Sequence, residues 1–368
     1  DFYDKALADE AVKAAAEADK AVIFAGLPES FESEGYDRSH MRLPECQNRL
    51  ITEILKVQPN TVIVLHNGSP VEMPWLGEIK GLLETYLGGQ AGGAAAANIL
   101  YGKINPSGKL AETMPLKLSD NPSYLNFGGG EKVEYREGIF VGYRYYDTKE
   151  MDVVFPFGYG LSYTTFAYSN LKLSMENPTE KDTVMVSADV TNTGKSAGKE
   201  VVQLYIRDLT GSAIRPEKEL KGFEKVFLEP GETKTVTMEL NKRSFAWYNT
   251  KLHDWFAASG DYEILVGASS RDIRLTETLH LNSSQRLPMH VHMNTTLGDL
   301  LRNPETAEAA KKLIQKYLSG EAGSEAASEA VSEEMTMAMT DSMPLRALMG
   351  FAGVSRKELD SVIEKLNK

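Results

Sequence analysis

The sequence predicts an α/β plus all-β fold, with an α/β domain first, an antiparallel β-sandwich second and a helical tail last. Three observations along its 368 residues support this order. Short, continuous apolar runs alternate with helical segments up to residue 125, which is typical of a parallel sheet. From residue 168 the hydrophobic period changes to two, and turn sequences recur at roughly 8–12 residue spacing, as in antiparallel sandwiches. After residue 285, amphipathic helical segments flank an acidic stretch rich in Ala and Ser.

The first domain, predicted over 1–125, alternates helices and buried strands. Parallel strands covered on both faces have unbroken apolar sequences, as in AVIFAGL and TVIVLHNG. The predicted elements are a helix in 1–20, a strand at 21–27, a helix near 43–57, a strand at 61–68 and a helix at 91–102.

Residues 126–167 are rich in Gly, Pro and Tyr and have little periodicity. A long linker is one interpretation, but so many aromatic residues are seldom left in solvent. We therefore expect an ordered connection packed onto its neighbours. The β-sandwich is predicted over 168–284, with strands at 168–176, 183–192, 199–208, 220–228, 233–240, 255–258, 261–267 and 273–281.

The tail, 285–368, is predicted to be mainly helical. One amphipathic helix is expected over 296–319, and a second closes the chain within 343–367, where Ser355 and Glu358 have capping-box spacing. The acidic stretch between these helices has no core-forming face, so we interpret it as a linker or a weak helix.

Composition excludes several classes of partner. The chain has 52 acidic and 40 basic residues, a formal net charge of −12, which argues against nucleic-acid binding. No apolar run approaches the roughly 18–20 residues that cross a bilayer, so no membrane partner is expected. Cys46 is the single cysteine and excludes an intrachain disulfide. The sequence starts at Asp1 without a Met or a signal segment, which predicts a processed or truncated product; localisation stays open, with the cytoplasm slightly favoured.

The loop after the first predicted strand carries the strongest chemical signal. Loops at the carboxyl ends of parallel strands are where open α/β sheets place function. This loop holds Glu29, Glu32 and Glu34 beside the rings of Phe31 and Tyr36. A carboxyl packed against aromatic rings is suited to general acid catalysis, because burial favours its protonated form. On spacing alone, however, glutamates that merely solvate an exposed loop are the favoured interpretation.

A resemblance to a known protein family changes which of these two interpretations is favoured. The segment ESEGYDR, which contains Glu34, resembles the acid/base loop of glycoside hydrolase family 3, the β-glucosidases and their relatives. Residues 168–281 resemble the family's immunoglobulin/fibronectin type III-like sandwich, with NTG, EVVQLYI, ELKGFEKVFLEPGE and GDYEILVGASS in order. Other segments resemble the family in its order: HNGSPVEMPW at 66–75, LGGQAG at 87–92, YGKINPSGKLAETMP at 101–115, YREGIFVGYRYYD at 135–147 and FPFGYGLSYTTF at 155–166.

The resemblance implies retaining hydrolysis of terminal β-D-glucosyl residues by two carboxyl groups. It assigns the general acid/base to Glu34; Glu32 is its main competitor and Glu29 a weaker one. Phe31 and Tyr36 are candidates to flank the leaving-group side of the sugar, because sugar rings commonly lie on aromatic faces. Two further residues, Asp37 and Arg38, either orient Glu34 or pair to stabilise the loop, and we favour pairing.

The family's nucleophile is an aspartate on an N-terminal barrel, and no segment of this chain has the strand–loop–helix cycle of a barrel. The sequence His253-Asp254-Trp255 lies between sandwich strands and is interpreted as an ordinary turn. The α/β sandwich is expected to be incomplete at its start. The resemblance therefore implies two partners, the N-terminal barrel portion of the same enzyme and a β-glucoside or cello-oligosaccharide substrate.

No metal and no organic cofactor are expected, since two carboxyl groups suffice for this chemistry. His290 and His292 alternate on one face of an extended segment, but no third ligand is nearby and a surface pair is favoured. Two alternative functions stay open: a non-catalytic scaffold or glycan-binding fragment, and a family member specific for another β-linked sugar such as xylose. Homo-oligomerisation is also left open.

Overall fold

The computed structural model describes residues 2–128, 130–317, 338 and 341–367. The chain divides into two compact units, Asp1–Gln285 and Arg286–Lys368. The domain boundaries at residues 125, 167 and 284 remain predictions. Within the described ranges, no helix has both the length and the apolar character needed to cross a membrane.

The first part of unit 1 is the predicted α/β arrangement. Its three strands form a parallel sheet in the order β1-β2-β3, with Ala21 opposite Thr61 and Val62 opposite Gly81. Asp4 caps the first helix by accepting hydrogen bonds from the backbone N–H groups of Ala6 and Leu7. The elements are α1 (Lys5–Glu17), β1 (Ala21–Gly26), α2 (Glu45–Val57), β2 (Thr61–His66), β3 (Gly81–Glu84) and α3 (Gly92–Leu100).

Burial differs between the two strands that were expected to be covered on both faces. In β2, Ile63, Val64 and Leu65 are fully buried, as predicted. In β1, Val22 and Phe24 are 46% and 57% exposed, so the prediction is wrong for this strand. Alternate residues of a strand share a face, and among the described residues the face with Val22 and Phe24 is partly open, whereas Ala25 on the other face is buried. An apolar run does not by itself reveal whether both faces are covered.

Strand β4 (Met114–Pro115) precedes the aromatic-rich connection, which contains the short elements α4 (Tyr143–Thr148) and β5 (Val153–Phe155). Strands β4 and β5 pair antiparallel. The end of the connection is packed, because Tyr146 and Asp147 on α4 are buried. Its first half is not packed as expected: between 126 and 141 the side chains of Phe127, Val133, Tyr135, Ile139 and Val141 are exposed.

The β-sandwich has the predicted strands to within a few residues. One sheet has the order β10-β7-β6 and the other β14-β13-β8-β9, and Val184, Val186 and Val190 point into the shared core. Alternate residues of β7 are buried, which is the period of two seen in the sequence. The elements are β6 (Phe166–Leu173), β7 (Val184–Asn192), β8 (Gly198–Asp208), β9 (Glu219–Leu228), β10 (Thr233–Leu240), α5 (Lys242–Phe245), β11 (Trp247–Asn249), β12 (Asp254–Phe256), β13 (Gly260–Gly267) and β14 (Ile273–Leu281).

Unit 2 has its own apolar core, which includes Leu297, Leu300, Leu345 and Leu359. The single helix expected over 296–319 is two helices, because Pro304 cannot donate a helical hydrogen bond and the chain turns there. The predicted closing helix is confirmed, with the Ser355 side chain accepting from the Glu358 backbone N–H. The helices are α6 (Leu297–Arg302), α7 (Ala307–Tyr317), α8 (Leu348–Phe351) and α9 (Arg356–Leu366). The acidic stretch at 320–334 lies outside the described residues.

Candidate active site

The candidate acid/base loop leaves the carboxyl end of β1 from a fixed point. The side-chain amide of Gln47 accepts from the Gly26 N–H and donates to the Gly26 carbonyl, both at 2.9 Å. A side chain at Gly26 would collide with the backbone of His66 on the neighbouring strand. The loop then turns at Pro28, whose carbonyl accepts from the N–H groups of Phe31 and Glu32. The strand exit and the first turn of the loop are therefore both held in place.

Glu32 connects the loop to the turn that follows β2, residues 67–70, hereafter the 67–70 turn. One carboxylate oxygen accepts from the Gly68 N–H at 2.7 Å and the other from the Ser69 hydroxyl at 2.6 Å. Both oxygens of this half-buried carboxylate are thus partnered. Hydrogen bonds to an ionised carboxylate are among the stronger ones in proteins.

Arg38 makes a second connection to the same turn. Its Nη1 donates to the Ser69 hydroxyl at 2.8 Å and to the Pro70 carbonyl at 3.1 Å. Burial lowers the pKa of Arg38, while Glu32 and Glu72 oppose that shift by favouring the charged form. The guanidinium nevertheless keeps its charge. Pairing with the turn, rather than with Asp37, is how Arg38 stabilises the loop.

Glu34 lies between these two connections, on the outer part of the loop. Ser33 and Tyr36 form an antiparallel bridge around it, which narrows the loop at that point. The Glu34 side chain is exposed, so the expected burial against the aromatic rings is not observed. Among the described residues, nothing forms a hydrogen bond or an ion pair with its carboxylate. This carboxylate is available to act on a bound molecule.

The two aromatic candidates are held differently. Phe31 is half-buried and packs edge-to-face on His40, with ring centroids 5.9 Å apart. Tyr36 is about half exposed, and its hydroxyl donates to the carbonyl of Glu29. The Glu29 side chain itself is exposed. These contacts do not test whether Phe31 and Tyr36 flank a sugar, so that role remains a prediction.

Two carboxyl groups that the sequence analysis missed lie at the same end of the sheet. Burial raises the pKa of Glu84, the last residue of β3, to about 7, although hydrogen bonds from the Tyr86 N–H and the Asn67 side chain oppose the shift. Burial also raises the pKa of Glu112. Glu84 ends a short parallel strand that the sequence analysis did not predict, and Glu112 precedes β4, so the search at the carboxyl ends of predicted strands reached neither carboxyl group.

A cleft of about 340 Å³ opens beside the loop, between the 67–70 turn and the aromatic-rich connection. Apolar walls, among them Pro115 and Tyr146, alternate with polar groups. Buried polar atoms without a partner are costly, about 1–3 kcal/mol each. A hydroxyl group both donates and accepts, so a polyhydroxylated molecule matches such a lining. Within the described part of the chain, four buried lining atoms have no hydrogen-bond partner: Arg38 Nη2, His40 Nδ1, Thr113 Oγ1 and Glu137 Oε2.

Comparison with known families gives two matches in chain order. The model of the glycosyl hydrolase family 3 C-terminal domain matches residues 4–163, which include the loop and the cleft. The model of a fibronectin type III-like domain matches residues 200–270, within the β-sandwich. The chain belongs to glycosyl hydrolase family 3.

Relatives of this family 3 chain align over most or all of it. The thermostable β-glucosidase B of Acetivibrio thermocellus is 50% identical over 100% of this chain and 48% of that protein. An exo-α-(1→6)-L-arabinopyranosidase of Bifidobacterium breve is 41% identical over 97% of this chain and 46% of that protein. The crystal structure of the Bifidobacterium adolescentis family 3 β-glucosidase superposes with a TM-score of 0.78 at 42% identity, covering 85% of this chain and 46% of that one. The chain spans about half the length of the curated relatives it matches.

The remaining candidates of this family 3 chain lie on the β-sandwich or in unit 2. Asp254 starts β12, is exposed and pairs with Lys242. His290 and His292 lie in unit 2. Across the described residues, no group of three or more His, Cys, Asp or Glu side chains could hold a metal ion.

Proposed function

We propose that this chain supplies the general acid/base of a retaining β-glucosidase and that Glu34 is that residue. The observation that carries the proposal is the contrast between two glutamates on one loop of a family 3 domain. Both oxygens of Glu32 are engaged by Gly68 and Ser69, whereas the Glu34 carboxylate is exposed and has no hydrogen-bond or ion-pair partner among the described residues. A general acid must reach the leaving-group oxygen, so an unengaged carboxylate is the better candidate.

In this mechanism Glu34 acts twice. It first protonates the departing glycosidic oxygen while an aspartate attacks the sugar, and it then deprotonates the water that cleaves the glycosyl-enzyme. The two carboxyl groups of a retaining enzyme lie about 5–5.5 Å apart. We place the aspartate on an N-terminal barrel portion, the partner of this chain in the complete enzyme. In that assembly, residues 1–125 carry the acid/base loop and the sandwich over 168–284 supports them.

The substrate class follows from the same site. A β-glucoside or cello-oligosaccharide would place its leaving group on the Glu34 side, with Phe31 and Tyr36 flanking it. The cleft beside the loop supports a polyhydroxylated ligand, since its lining mixes donors such as Arg38 with acceptors such as Glu137. No metal or organic cofactor takes part in the proposed steps.

The first prediction concerns Glu34→Ala in the complete enzyme. Hydrolysis of cellobiose should fall about 10²–10⁴-fold, the usual contribution of a general acid. An aryl glucoside with an activated leaving group should lose less activity, because its first step needs no protonation and only the second step lacks its base. Added azide should restore part of the turnover by attacking the glycosyl-enzyme in place of water. Steady-state kinetics on both substrates, with and without azide, measure this.

Glu29→Ala is the matched control, because it removes an exposed carboxylate from the same loop. It should keep wild-type activity on both substrates. An equal loss on both substrates in Glu34→Ala, with no azide effect, would move the role away from Glu34. The alkaline limb of the pH–rate profile should also disappear in Glu34→Ala, and its persistence would count against the assignment.

A different sugar specificity is the second candidate. The 41% identity to an exo-α-(1→6)-L-arabinopyranosidase over 97% of the chain favours considering it. Comparing kcat/KM for aryl β-D-glucoside, aryl β-D-xyloside and aryl α-L-arabinopyranoside decides between these sugars. The remaining alternative is that the chain by itself is a non-catalytic scaffold or glycan-binding fragment. Native mass spectrometry that shows the chain folded and without a partner, together with sugar binding and no turnover, would support this alternative.

A further inference from the structure

The Glu34 loop is attached to the 67–70 turn at two points, one before Glu34 and one after it. Glu32 accepts from the Gly68 N–H and the Ser69 hydroxyl, and Arg38 donates to the Ser69 hydroxyl and the Pro70 carbonyl. Residues 33–37 are all that lies between the two attachments. The length of free chain around Glu34 is therefore short.

Ser69 joins the two attachments into one network. Its hydroxyl donates its proton to Glu32 at 2.6 Å and accepts from Arg38 at 2.8 Å. Charge-assisted bonds of this kind are stronger than neutral ones, and each polarises the next. The opposite charges of Glu32 and Arg38 thus meet through one hydroxyl group.

The 67–70 turn that receives these bonds is itself anchored. Asn67 is fully buried, and its side-chain amide donates to the Ser69 carbonyl at 3.0 Å and to Glu84 at 3.3 Å. A Cβ at position 68 would lie 3.1 Å from both oxygens of Glu32, which is closer than most Cβ contacts in proteins. A side chain at Gly68 would therefore push the Glu32 carboxylate away from the turn by a few tenths of an ångström.

A third contact continues the attachment beyond Arg38. The Met41 carbonyl accepts from the Glu72 N–H at 2.8 Å, and Arg42 forms a parallel bridge with Glu72. The return half of the loop therefore runs alongside the segment that follows β2. Motion of the loop as a whole would have to break several of these bonds together.

We propose that Glu32 and Arg38 are positioning residues, which hold the Glu34 carboxylate where the leaving-group oxygen is protonated. The proposal rests on the proposed function of Glu34. Neither residue donates a proton to substrate; each acts through the 67–70 turn. A displacement of about 1 Å at a reacting group can reduce a rate on the order of 100-fold.

The test uses Glu32→Ala, Arg38→Met and Ser69→Ala in the complete enzyme. We expect kcat for cellobiose to fall on the order of 10–100-fold in the first two variants, with KM changed little. Turnover of an activated aryl glucoside should fall much less, since it does not depend on the acid. The alkaline limb should persist and azide should have no effect, because Glu34 is still present. Arg38→Lys should recover part of the lost kcat, as its ammonium group can still bond Ser69.

Glu29→Gln is the control for a charge removed from the same loop and should keep wild-type kcat on both substrates. Thermal melts of every variant establish that the fold is retained. Unchanged kcat for cellobiose in Glu32→Ala and Arg38→Met would overturn the proposal, and so would an equal loss on both substrates. Rescue of Glu32→Ala by azide would also overturn the proposal, because it would indicate that Glu32 itself is the general acid/base. Failure of the proposed function would be recognised by a different result, namely a Glu34→Ala variant that is still active.

Discussion

At the scale of single residues, four glutamates at the same end of the sheet have different environments. Glu32 is engaged by the 67–70 turn, and Glu34 is exposed. Burial raises the pKa of both Glu84 and Glu112. The motif ESEGYDR selected the loop that carries Glu34 as the candidate site. It did not reveal that Glu32 and Arg38 meet at Ser69, because that contact joins residues more than 30 positions apart.

The pKa of Glu84 makes a prediction about stability and pH. Its folded-state pKa of about 7 lies above the ordinary value of 4.5, so the folded state binds this proton more tightly than the unfolded state does. The stability that Glu84 contributes is present below about pH 4.5 and is lost as the pH rises through about 7. We expect Glu84→Gln, which stays neutral, to gain unfolding free energy relative to wild type across this window.

Urea unfolding of both proteins at several pH values measures the difference. Glu78→Gln is the matched control, because its carboxylate is exposed near the same sheet and should leave the pH dependence unchanged. A constant difference between wild type and Glu84→Gln from acid to neutral pH would contradict the assignment of this slope to Glu84.

At the scale of elements, α4 is joined to the β-sandwich by a buried charge. The Asp147 carboxylate accepts from Arg271 Nε at 2.7 Å and lies 3.3 Å from Lys218 Nζ. Arg271 also donates to the carbonyls of Tyr146 and Met151. This ion-pair network orders the end of the connection, whereas among the described residues of its first half no aromatic side chain contacts a buried ion pair of this kind.

Asp147→Ala should therefore be strongly destabilising. It leaves the Lys218 and Arg271 charges without their carboxylate, and breaking a buried pair in this way costs about 3–5 kcal/mol. Asp152→Ala, which removes a nearby exposed carboxylate, should change the unfolding free energy by at most about 0.5 kcal/mol. Denaturant melts of both variants give the comparison. Equal, small losses would mean that the network does not hold α4 in place.

At the scale of the whole molecule, the chain has separate cores in its two units. The sandwich core of unit 1 is complete by Leu281, and the Gln285 side chain accepts from the Ala257 N–H and donates to the Trp255 carbonyl. The core of unit 2 contains only residues after 286. Each unit therefore has the buried apolar surface on which folding depends.

We expect a chain that ends after Gln285 to fold, because it keeps its full core. A chain that ends after Asp272 is the control: it lacks β14, and with it the buried Leu279 and Leu281. Circular dichroism and urea unfolding should show a cooperative transition for the first chain and none for the second. A non-cooperative transition in the longer chain would show that unit 1 requires residues of the tail.

By itself, the sequence determined the fold class, the position of most sandwich strands and the loop that carries Glu34. Periodicity and turn residues are local properties, and motifs such as ESEGYDR are contiguous, so one sequence contains them. Tertiary structure alone decided that β1 is exposed on one face and that Glu32 is engaged while Glu34 is not. It also decided the raised pKa of Glu84. The physical reason is that burial and hydrogen bonding depend on residues distant in sequence, such as Gly68 and Ser69 for Glu32.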